Sequence, residues 1–398
     1  MLGHRLLQGI VALAASGLMS VVNCEVKVSA LKTTTLGTDP EGSARLNGMS
    51  FQQDALTTFN GWQYVAYYES TGTYNKQNVA LGRRNLNGGA SPSDWEVIRF
   101  TDYSQQTQDS HNTISMGISN DGKIHLSYDH HDVPLNYRVS NEGVATDPRP
   151  MRGTRISLEL RGMTCPAADR GLGGRSGSGD SYLYKYSGGS WTPIGKYIQG
   201  NNNNAYINGL DFANDTLTIT WTWRETPDVV TNHDLGYAYS TDLGRTWNNN
   251  AGVSIGPTNS GILNQEGQTV DAAGRVHVIN RETVGGTLTW LHYWRGDDGR
   301  WTRNPISHSL GPLTQTGRRG KLAAHPTTGD LFAILAANQA SNDVAVYVAT
   351  RASGYTDWKE AWRAGSFDVE PLFDRALWRG QGGYPDRKVA VVDLEVQV

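Results

Sequence analysis

From about residue 45 onward, apolar and polar residues alternate in short runs separated by turns rich in glycine, aspartate and asparagine. Runs such as KIHLSYD, RVHVINR and DLFAILA have the period-two pattern of half-buried β-strands. Turn sequences of the Asp-Gly type stand beside them, at 120–123, 273–275, 297–300 and 328–330. Helical periodicity with capping residues is not found over a useful length. The pattern predicts an all-β protein.

Tryptophan residues repeat at a near-constant interval along this pattern. Trp95, Trp191, Trp247, Trp301 and Trp358 are separated by 96, 56, 54 and 57 residues. Three near-equal steps and one of almost twice that length indicate a unit of about 50–57 residues, which is the size of a four-stranded propeller blade. We therefore predict a seven-bladed β-propeller, with six blades as the alternative.

One motif supports the propeller. Residues 240–247 read STDLGRTW and match the Asp-box pattern S-x-D-x-G-x-T-W. Its aspartate can bind the amides of a turn, its glycine permits a tight bend, and its tryptophan can pack between blades. The motif marks an element of the fold and not an activity.

One segment lacks the strand pattern. Between Tyr137 and Tyr182 lie 44 residues without an aromatic side chain, in a chain that is 9% aromatic. Six arginines crowd into 149–175, together with Cys165. We interpret 149–175 as a local error of reading frame or splicing, with an unusual loop as the alternative, and expect the blade around 149–181 to be incomplete.

The first 24 residues differ from the rest. Arg5 precedes an uncharged apolar run over 6–22, and small residues follow it up to Cys24. We predict a secretory signal peptide cleaved near Cys24, because the run is short for a membrane anchor, which is the alternative. Residues 25–398 are then expected to form a single secreted propeller domain. Cleavage leaves Cys165 as the one cysteine, so the fold is not a disulfide scaffold.

Composition narrows the choice of partners. The net charge is −3 and no basic stripe is found, which argues against nucleic-acid binding. No second apolar segment of spanning length follows the leader, so we expect a soluble monomer without a membrane partner. Residues 214–216 form an N-glycosylation sequon, for which an unused surface turn is the alternative.

The stretch 109–131 carries four of the ten histidines. Its Asn-Asp-Gly sequence at 120–122 predicts a β-hairpin. With a three-residue loop the numbers of opposed residues sum to 242, and His111 lies opposite His131 with Cβ atoms roughly 5 Å apart. A two-residue turn is the alternative; it shifts the pairing by one and leaves the two histidines cross-strand neighbours. The innermost strand of each propeller blade lines the central channel, where ligands bind. We predict that these two histidines are functional and that the other two make structural hydrogen bonds.

A metal site is an alternative interpretation of the same hairpin. His111, Asp129 and His131 offer zinc ligands, but no ligand-spacing motif accompanies them. We therefore predict that no metal or cofactor is required. A structural calcium ion in the central channel is left open.

Two further groups of polar residues lie among aromatic strand patterns. In 221–240 we predict that Arg224, Asn232 and His233 bind substrate, since an arginine fork suits a carboxylate. The alternative is a turn that ties one blade to the next. In NQEGQTVD and INRE we predict that Gln265, Gln268 and Arg281 hold sugar hydroxyls, and the alternative is inter-blade hydrogen bonding.

These stretches resemble a known family. The histidine hairpin, 221–247, 264–282, LHYWRGDDGRWTRN and the tail beginning EPLFDRALW are similar to a BNR-type propeller family. That family includes ulvan lyases and fungal L-rhamnose-α-1,4-D-glucuronate lyases. The similarity runs from about residue 47 to the C-terminus, apart from roughly 149–175. The His…Asp-His-His hairpin is specific to it, whereas the Asp box is not.

The resemblance implies a secreted seven-bladed propeller that cleaves a uronic-acid-containing polysaccharide by β-elimination. His131 matches the family's catalytic base and acid, and His111 matches the second histidine beside it. The family also uses a tyrosine and a carboxylate-neutralising arginine from the blade after the hairpin. Segment 149–175 does not match that blade, so these two roles are not transferred. We hypothesise that Arg224 partly replaces the arginine. The alternatives are a rhamnosidase-like or sialidase-like hydrolase and a catalytically degenerate glycan-binding propeller.

Overall fold

The computed structural model describes residues 36–49, 54–87, 95–129, 136–146, 180–187, 189–249, 252–255, 260–263, 266–337, 343–365 and 370–378, with the backbone of 159–160 and 391–392. The predicted leader, Cys165 and segment 149–175 apart from 159–160 lie outside the described residues.

The described chain forms antiparallel sheets that follow one another in sequence, five of them four-stranded and two of them two-stranded. The first sheet contains β1 (Leu56–Phe59), β2 (Trp62–Thr73), β3 (Lys76–Asn85) and β4 (Glu96–Gln105). The second contains β5 (Ser115–Ile118), β6 (Ile124–Tyr128), β7 (Asn136–Val139) and β8 (Glu159–Leu160). The third, two-stranded, contains β9 (Ser181–Ser187) and β10 (Ser190–Ile198).

The fourth sheet contains β11 (Asn204–Ala213), β12 (Thr216–Arg224), β13 (Asn232–Ser240) and β14 (Asn248–Asn249). The fifth contains β15 (Gln268–Val270), β16 (Val276–Val284), β17 (Thr287–Arg295) and β18 (Trp301–Pro305). The sixth contains β19 (Lys321–Ala324), β20 (Leu331–Ala336), β21 (Val344–Ala349) and β22 (Lys359–Ala364). The last pairs β23 (Leu372–Phe373) with β24 (Val391–Val392), and the short helix α1 (Arg375–Trp378) lies between these two strands in the chain. Two 3₁₀ turns occur at Val229–Thr231 and Arg351–Ser353.

Consecutive sheets pack face to face through buried apolar side chains. Tyr68 and Leu126 share the core between the first two sheets, and Trp290 and Leu322 share the core between the fifth and sixth. Burial of large side chains between sheets is the main favourable term for such a fold, at roughly 25 cal/mol per Å² of apolar surface. The prediction of an all-β propeller is confirmed, and five four-stranded blades are present among the described residues.

The ring is closed by the segment that contains α1. The Asp374 carboxylate accepts hydrogen bonds from the Thr58 amide at 3.1 Å and from Gln63 Nε2 at 3.0 Å, both in the first sheet. The Trp378 indole donates to the Ala324 carbonyl of the sixth sheet at 2.7 Å. The end of the chain therefore joins the first sheet to the sixth.

A buried ion pair crosses this ring. Arg375, the first residue of α1, pairs with Asp211 of β11. The Asp211 side chain is fully buried and also accepts a hydrogen bond from Gln268 Nε2 at 2.8 Å. Since α1 packs on β1 while β11 belongs to the fourth sheet, the pair links opposite sides of the ring.

The tryptophan period has a structural cause. Trp95, Trp247 and Trp358 each immediately precede the fourth strand of a sheet, and Trp301 begins one. The Asp box also forms as its pattern predicts. The Asp242 carboxylate accepts a hydrogen bond from the Thr246 amide at 2.9 Å, and the ring of Trp247 lies 5.3 Å from that of Tyr197 in the third sheet.

Two of the predictions concern the glycosylation sequon and membrane spans. Asn214 of the sequon lies at the exposed turn between β11 and β12, and its amide donates to the Ala272 carbonyl at 3.1 Å. Among the residues that the structure describes, no helix is long and apolar enough to cross a membrane.

Two stacked histidines are buried between the fifth and sixth sheets. His277 Nδ1 and His292 Nε2 are 3.1 Å apart, and His277 Nε2 lies 3.4 Å from the Asp271 carboxylate. Both rings are fully buried beside Tyr355. Burial lowers the pKa of both imidazoles; Asp271 opposes this shift at His277, whereas His277 lowers the pKa of His292 further. The folded protein therefore keeps the pair neutral.

This pair predicts a loss of stability in acid. Below the ordinary imidazole pKa of 6.5, the unfolded chain binds protons that the folded chain does not, so the free energy of unfolding falls by about 1.4 kcal/mol per pH unit for each neutral imidazole. Urea unfolding followed between about pH 7 and pH 5 should show a smaller slope against pH for His292→Phe than for the wild-type protein. Equal slopes in the two proteins would contradict this account.

Candidate active site

The histidine hairpin has the predicted register. Ser115 pairs with Ser127 and Ile118 with Ile124, so opposed residue numbers sum to 242. The Ser119 amide donates to the Lys123 carbonyl at 3.0 Å, which closes the three-residue loop at 120–122. The prediction for the turn end of the hairpin is confirmed.

At its open end the hairpin is shorter than predicted. β5 begins at Ser115, and His111 lies in a turn, where the Asn112 amide donates to the Asp109 carbonyl at 3.0 Å. β6 ends at Tyr128, after which Asp129 adopts a left-handed φ of 46°. Asp129 therefore does not continue the strand. His131 lies outside the described residues, between the end of β6 and the start of β7.

His111 is held by a carboxylate. The Asp109 Oδ1 atom lies 2.5 Å from His111 Nδ1 and also accepts the His111 amide proton at 2.9 Å. The imidazole side chain is 46% exposed. A carboxylate on Nδ1 favours the tautomer with the proton on that nitrogen, which leaves the lone pair on Nε2. His111 therefore has the orientation and solvent access of an acid–base group.

The carboxylate of Asp129 serves the fold. Asp129 is 4% exposed and accepts a hydrogen bond from the Tyr103 hydroxyl, while its amide donates to the Tyr68 hydroxyl at 3.1 Å. These contacts fix the chain just before 130–131. Within the described residues, no group of three histidine, cysteine, aspartate or glutamate side chains is placed to hold a metal ion. The zinc interpretation of this hairpin gains no support from Asp129.

His125 makes structural contacts at the other end of the hairpin. Its Nδ1 lies 2.5 Å from the Tyr137 hydroxyl and its Nε2 lies 3.0 Å from the Ser119 hydroxyl. Both ring nitrogens are thus engaged, as expected for a histidine that stabilises the fold.

The topology puts the described candidate residues on one face of the ring. In an antiparallel four-stranded sheet, the start of the first strand, the turn between the second and third, and the end of the fourth all lie at one end. His111 precedes β5 and Arg224 ends β12. Asn232 and His233 begin β13. This face is called the upper face below.

Arg224 is partly buried and aimed by its own loop. Its Nε donates to the Thr226 carbonyl at 3.0 Å, and its Nη2 donates to the Pro227 carbonyl. The guanidinium lies 5.4 Å from the ring centre of Tyr206 on β11. The edge formed by Nη1 and the second Nη2 proton makes no hydrogen bond to any described residue. An arginine held in this way can offer that edge to an anion.

The neighbours of Arg224 have mixed roles. Asn232 is 1% exposed, and its amide donates to the Ile262 carbonyl at 3.1 Å, which fits the alternative of a turn that ties blades together. His233 is flanked by two carboxylates, with Nδ1 at 3.1 Å from Asp234 and Nε2 at 3.7 Å from Glu225. The His233 side chain is 13% exposed.

The prediction that Arg281 holds sugar hydroxyls is wrong. Its side chain is fully buried, pairs with Glu266 at 3.0 Å and lies 4.6 Å from the Trp290 ring centre. It donates to carbonyl groups of the chain between β18 and β19, so its contacts are those of the inter-blade alternative. Gln268 is 4% exposed and donates to the Asp211 carboxylate of the fourth sheet at 2.8 Å, so it too makes the contacts of the inter-blade alternative. Gln265 lies outside the described residues.

Two residues of the upper face were not identified from the sequence. Asp109 stands two positions before His111, the spacing at which an aspartate side chain commonly binds a following amide, and this signal was available. Tyr206 has no local signal for its contact with Arg224, since the two residues are 18 positions apart and meet only through the pairing of β11 with β12.

The fold and this face define a β-propeller that carries His111 and Arg224 on one side. The chain belongs to the BNR repeat-containing family, whose sequence pattern matches residues 62–309. The expected resemblance to a BNR-type propeller is thereby confirmed. No curated protein matches the sequence.

Solved structures share the fold. The polysaccharide lyase Uly1 superposes with a TM-score of 0.60 at 17% identity, over 93% of this chain and 100% of that one. A PL25 ulvan lyase bound to -[GlcA(1-4)Rha3S]- superposes with a TM-score of 0.55 at 14% identity, over 88% of this chain and 89% of that one. At such identities the similarity establishes the fold.

Proposed function

We propose that this protein is a polysaccharide lyase that cleaves by β-elimination at a glucuronic acid of a rhamnosyl-glucuronate polysaccharide. The observation that carries the proposal is the Asp109–His111 pair on the upper face, at the open end of the hairpin that leads to His131. The two ulvan and polysaccharide lyases that share the fold support it.

The chemistry needs a base, an acid and a counter-charge. His131 removes the proton on C5 of the glucuronate, the released electron pair forms the C4–C5 double bond, and the bond from C4 to the leaving oxygen breaks. The leaving oxygen takes a proton from an imidazolium, a role that suits a histidine because it titrates near neutral pH. His111, oriented by Asp109, is the second histidine that takes part in these proton transfers, beside His131.

Arg224 supplies the counter-charge in this proposal. The C5 proton is weakly acidic, and neutralising the adjacent carboxylate stabilises the enolate-like charge that develops as the proton leaves. The open edge of the Arg224 guanidinium fits a carboxylate, and Tyr206 beneath it holds the guanidinium plane.

We also propose the full complement of seven blades. Trp191 is the second residue of β10, and the tryptophans of the four-stranded sheets likewise stand at the start of a fourth strand. By this correspondence β9 and β10 are the third and fourth strands of a third blade. The sheet of β23 and β24 then belongs to a seventh blade.

The proposal is tested with gum arabic and ulvan as substrates. Elimination creates a 4,5-unsaturated uronate, so a new ultraviolet absorbance should grow as rhamnose or oligosaccharides are released. Reducing ends that increase without this absorbance would instead indicate a hydrolase. Binding without any new end group would indicate a glycan-binding propeller.

Asp109→Asn provides a milder test of the histidine pair. An amide cannot favour the same tautomer of His111, so kcat is expected to fall roughly tenfold to a hundredfold while the fold is retained. Steady-state kinetics with circular dichroism would measure both effects. Asp121→Asn, at the other end of the hairpin, is the matched control and should keep the wild-type kcat. A wild-type kcat in Asp109→Asn would remove the role assigned to Asp109.

A further inference from the structure

Arg281 organises a turn of the upper face. Its Nη1 donates to the Thr314 carbonyl at 2.6 Å, and its Nη2 donates to the Gly317 carbonyl at 2.9 Å and to the Arg318 carbonyl. The turn at 314–318 lies in the connection between β18 and β19 and contains one internal hydrogen bond, from the Gly317 amide to the Thr314 carbonyl at 3.1 Å. The 314–318 turn belongs to no strand, and the hydrogen bonds from Arg281 hold its carbonyl groups in place.

Glu266 holds the other side of the same guanidinium. It is fully buried, and its second carboxylate oxygen accepts the Gly320 amide proton at 3.0 Å. Burial raises the pKa of Glu266, and the charge of Arg281 opposes that shift. The backbone is tightly packed here, since a Cβ on Gly267 would lie 2.8 Å from the Leu322 amide nitrogen. The Glu266–Arg281 pair thus fixes the turn to the fifth and sixth sheets at once.

The turn reaches toward the loop of Arg224. Gln315 Nε2 lies 3.5 Å from the Val229 carbonyl, in the 3₁₀ turn that follows Arg224. That 3₁₀ turn is closed by Thr231, whose hydroxyl donates to the Asp228 carbonyl at 2.7 Å. A continuous set of contacts therefore runs from the buried pair to the loop whose carbonyl groups orient the Arg224 guanidinium.

We propose that Glu266 and Arg281 are positioning residues: they hold the 314–318 turn against the 226–231 loop and so set the place of Arg224 on the upper face. The inference rests on the proposed function for its catalytic consequence. The ligand class is the carboxylate of a glycan, the group that the open edge of Arg224 accepts. A loosened turn then weakens both the binding of that carboxylate and the stabilisation of the charge that develops as the C5 proton leaves.

Arg281→Lys tests the first half of this proposal. Lysine keeps the positive charge beside Glu266, so the fold is retained, but a single ammonium group cannot span the three carbonyl groups of the turn. Hydrogen exchange by mass spectrometry should rise in peptides that cover 310–320 and also in peptides that cover 225–231. Arg303 pairs with Glu282 on the same sheet. Arg303→Lys is therefore the control and should leave exchange in both segments unchanged. Equal exchange in Arg281→Lys and wild type would overturn the inference.

Kinetics test the second half. kcat/KM for the glucuronate polysaccharide is expected to fall roughly tenfold in Arg281→Lys, through a higher KM and a lower kcat, because the displaced Arg224 both binds the substrate carboxylate and stabilises the charge that develops on it. A rise in exchange without any change in kcat/KM would overturn the positioning role and leave a purely structural pair. If the wild-type protein cleaves no uronate polysaccharide, the proposed function fails, and exchange in the two segments still decides whether Arg281 holds them together.

Discussion

His131→Ala is expected to lower kcat/KM on a rhamnosyl-glucuronate polysaccharide by roughly a thousandfold, because a positioned general base commonly contributes 10²–10⁴ to the rate. His111→Ala should cost less, roughly a hundredfold, since His131 remains in place to remove the proton at C5. Initial rates of the ultraviolet absorbance change would measure both.

The control for this pair lies on the same hairpin. His125→Gln removes an imidazole whose two nitrogens contact Tyr137 and Ser119 near the turn at 120–122, away from the upper face. It should keep most of the wild-type activity even where its stability is lower. Unchanged activity in His131→Ala would remove the assignment of the base.

Arg375→Ala is expected to lower the free energy of unfolding by about 3–5 kcal/mol, because it leaves the buried Asp211 carboxylate without its counter-charge. The pair crosses the ring, so its loss also separates the segment of α1 from the fourth sheet. Urea unfolding at neutral pH would measure the change.

Two control variants separate the contribution of the Arg375–Asp211 ion pair from that of its surroundings. Arg300→Ala removes an arginine that is 89% exposed beside Asp298 and should leave stability nearly unchanged. The double variant Arg375→Met with Asp211→Leu should be more stable than Arg375→Ala, since an apolar pair leaves no buried charge. If Arg375→Ala is as stable as Arg300→Ala, the ion pair contributes nothing to ring closure.

Local pattern was enough to predict the strands and the turn of the hairpin. Alternation and the turn at 120–122 determined its register, and the tryptophans gave the blade period because each introduces an outer strand. The same pattern failed at the open end, where the Asp109 side chain captures the His111 amide and a turn replaces the strand. A side chain that competes with the ladder for an amide is not visible in alternation alone.

The contacts between sheets could not be predicted. Arg281 binds carbonyl groups more than 30 residues away, and Arg375 binds a carboxylate 164 residues away. Such partners meet only when the ring has formed, so no local sequence signal identifies them. This is why Arg281 was predicted to face a ligand, whereas it holds a turn.

Digestion of gum arabic in water labelled with heavy oxygen tests the central claim most directly. An elimination forms the C4–C5 double bond from the substrate's own atoms, so the account predicts products free of the label, with a uronate end that is lighter by one water than the hydrolysis product. Label in the new reducing end together with a saturated uronate would contradict the account and identify a hydrolase.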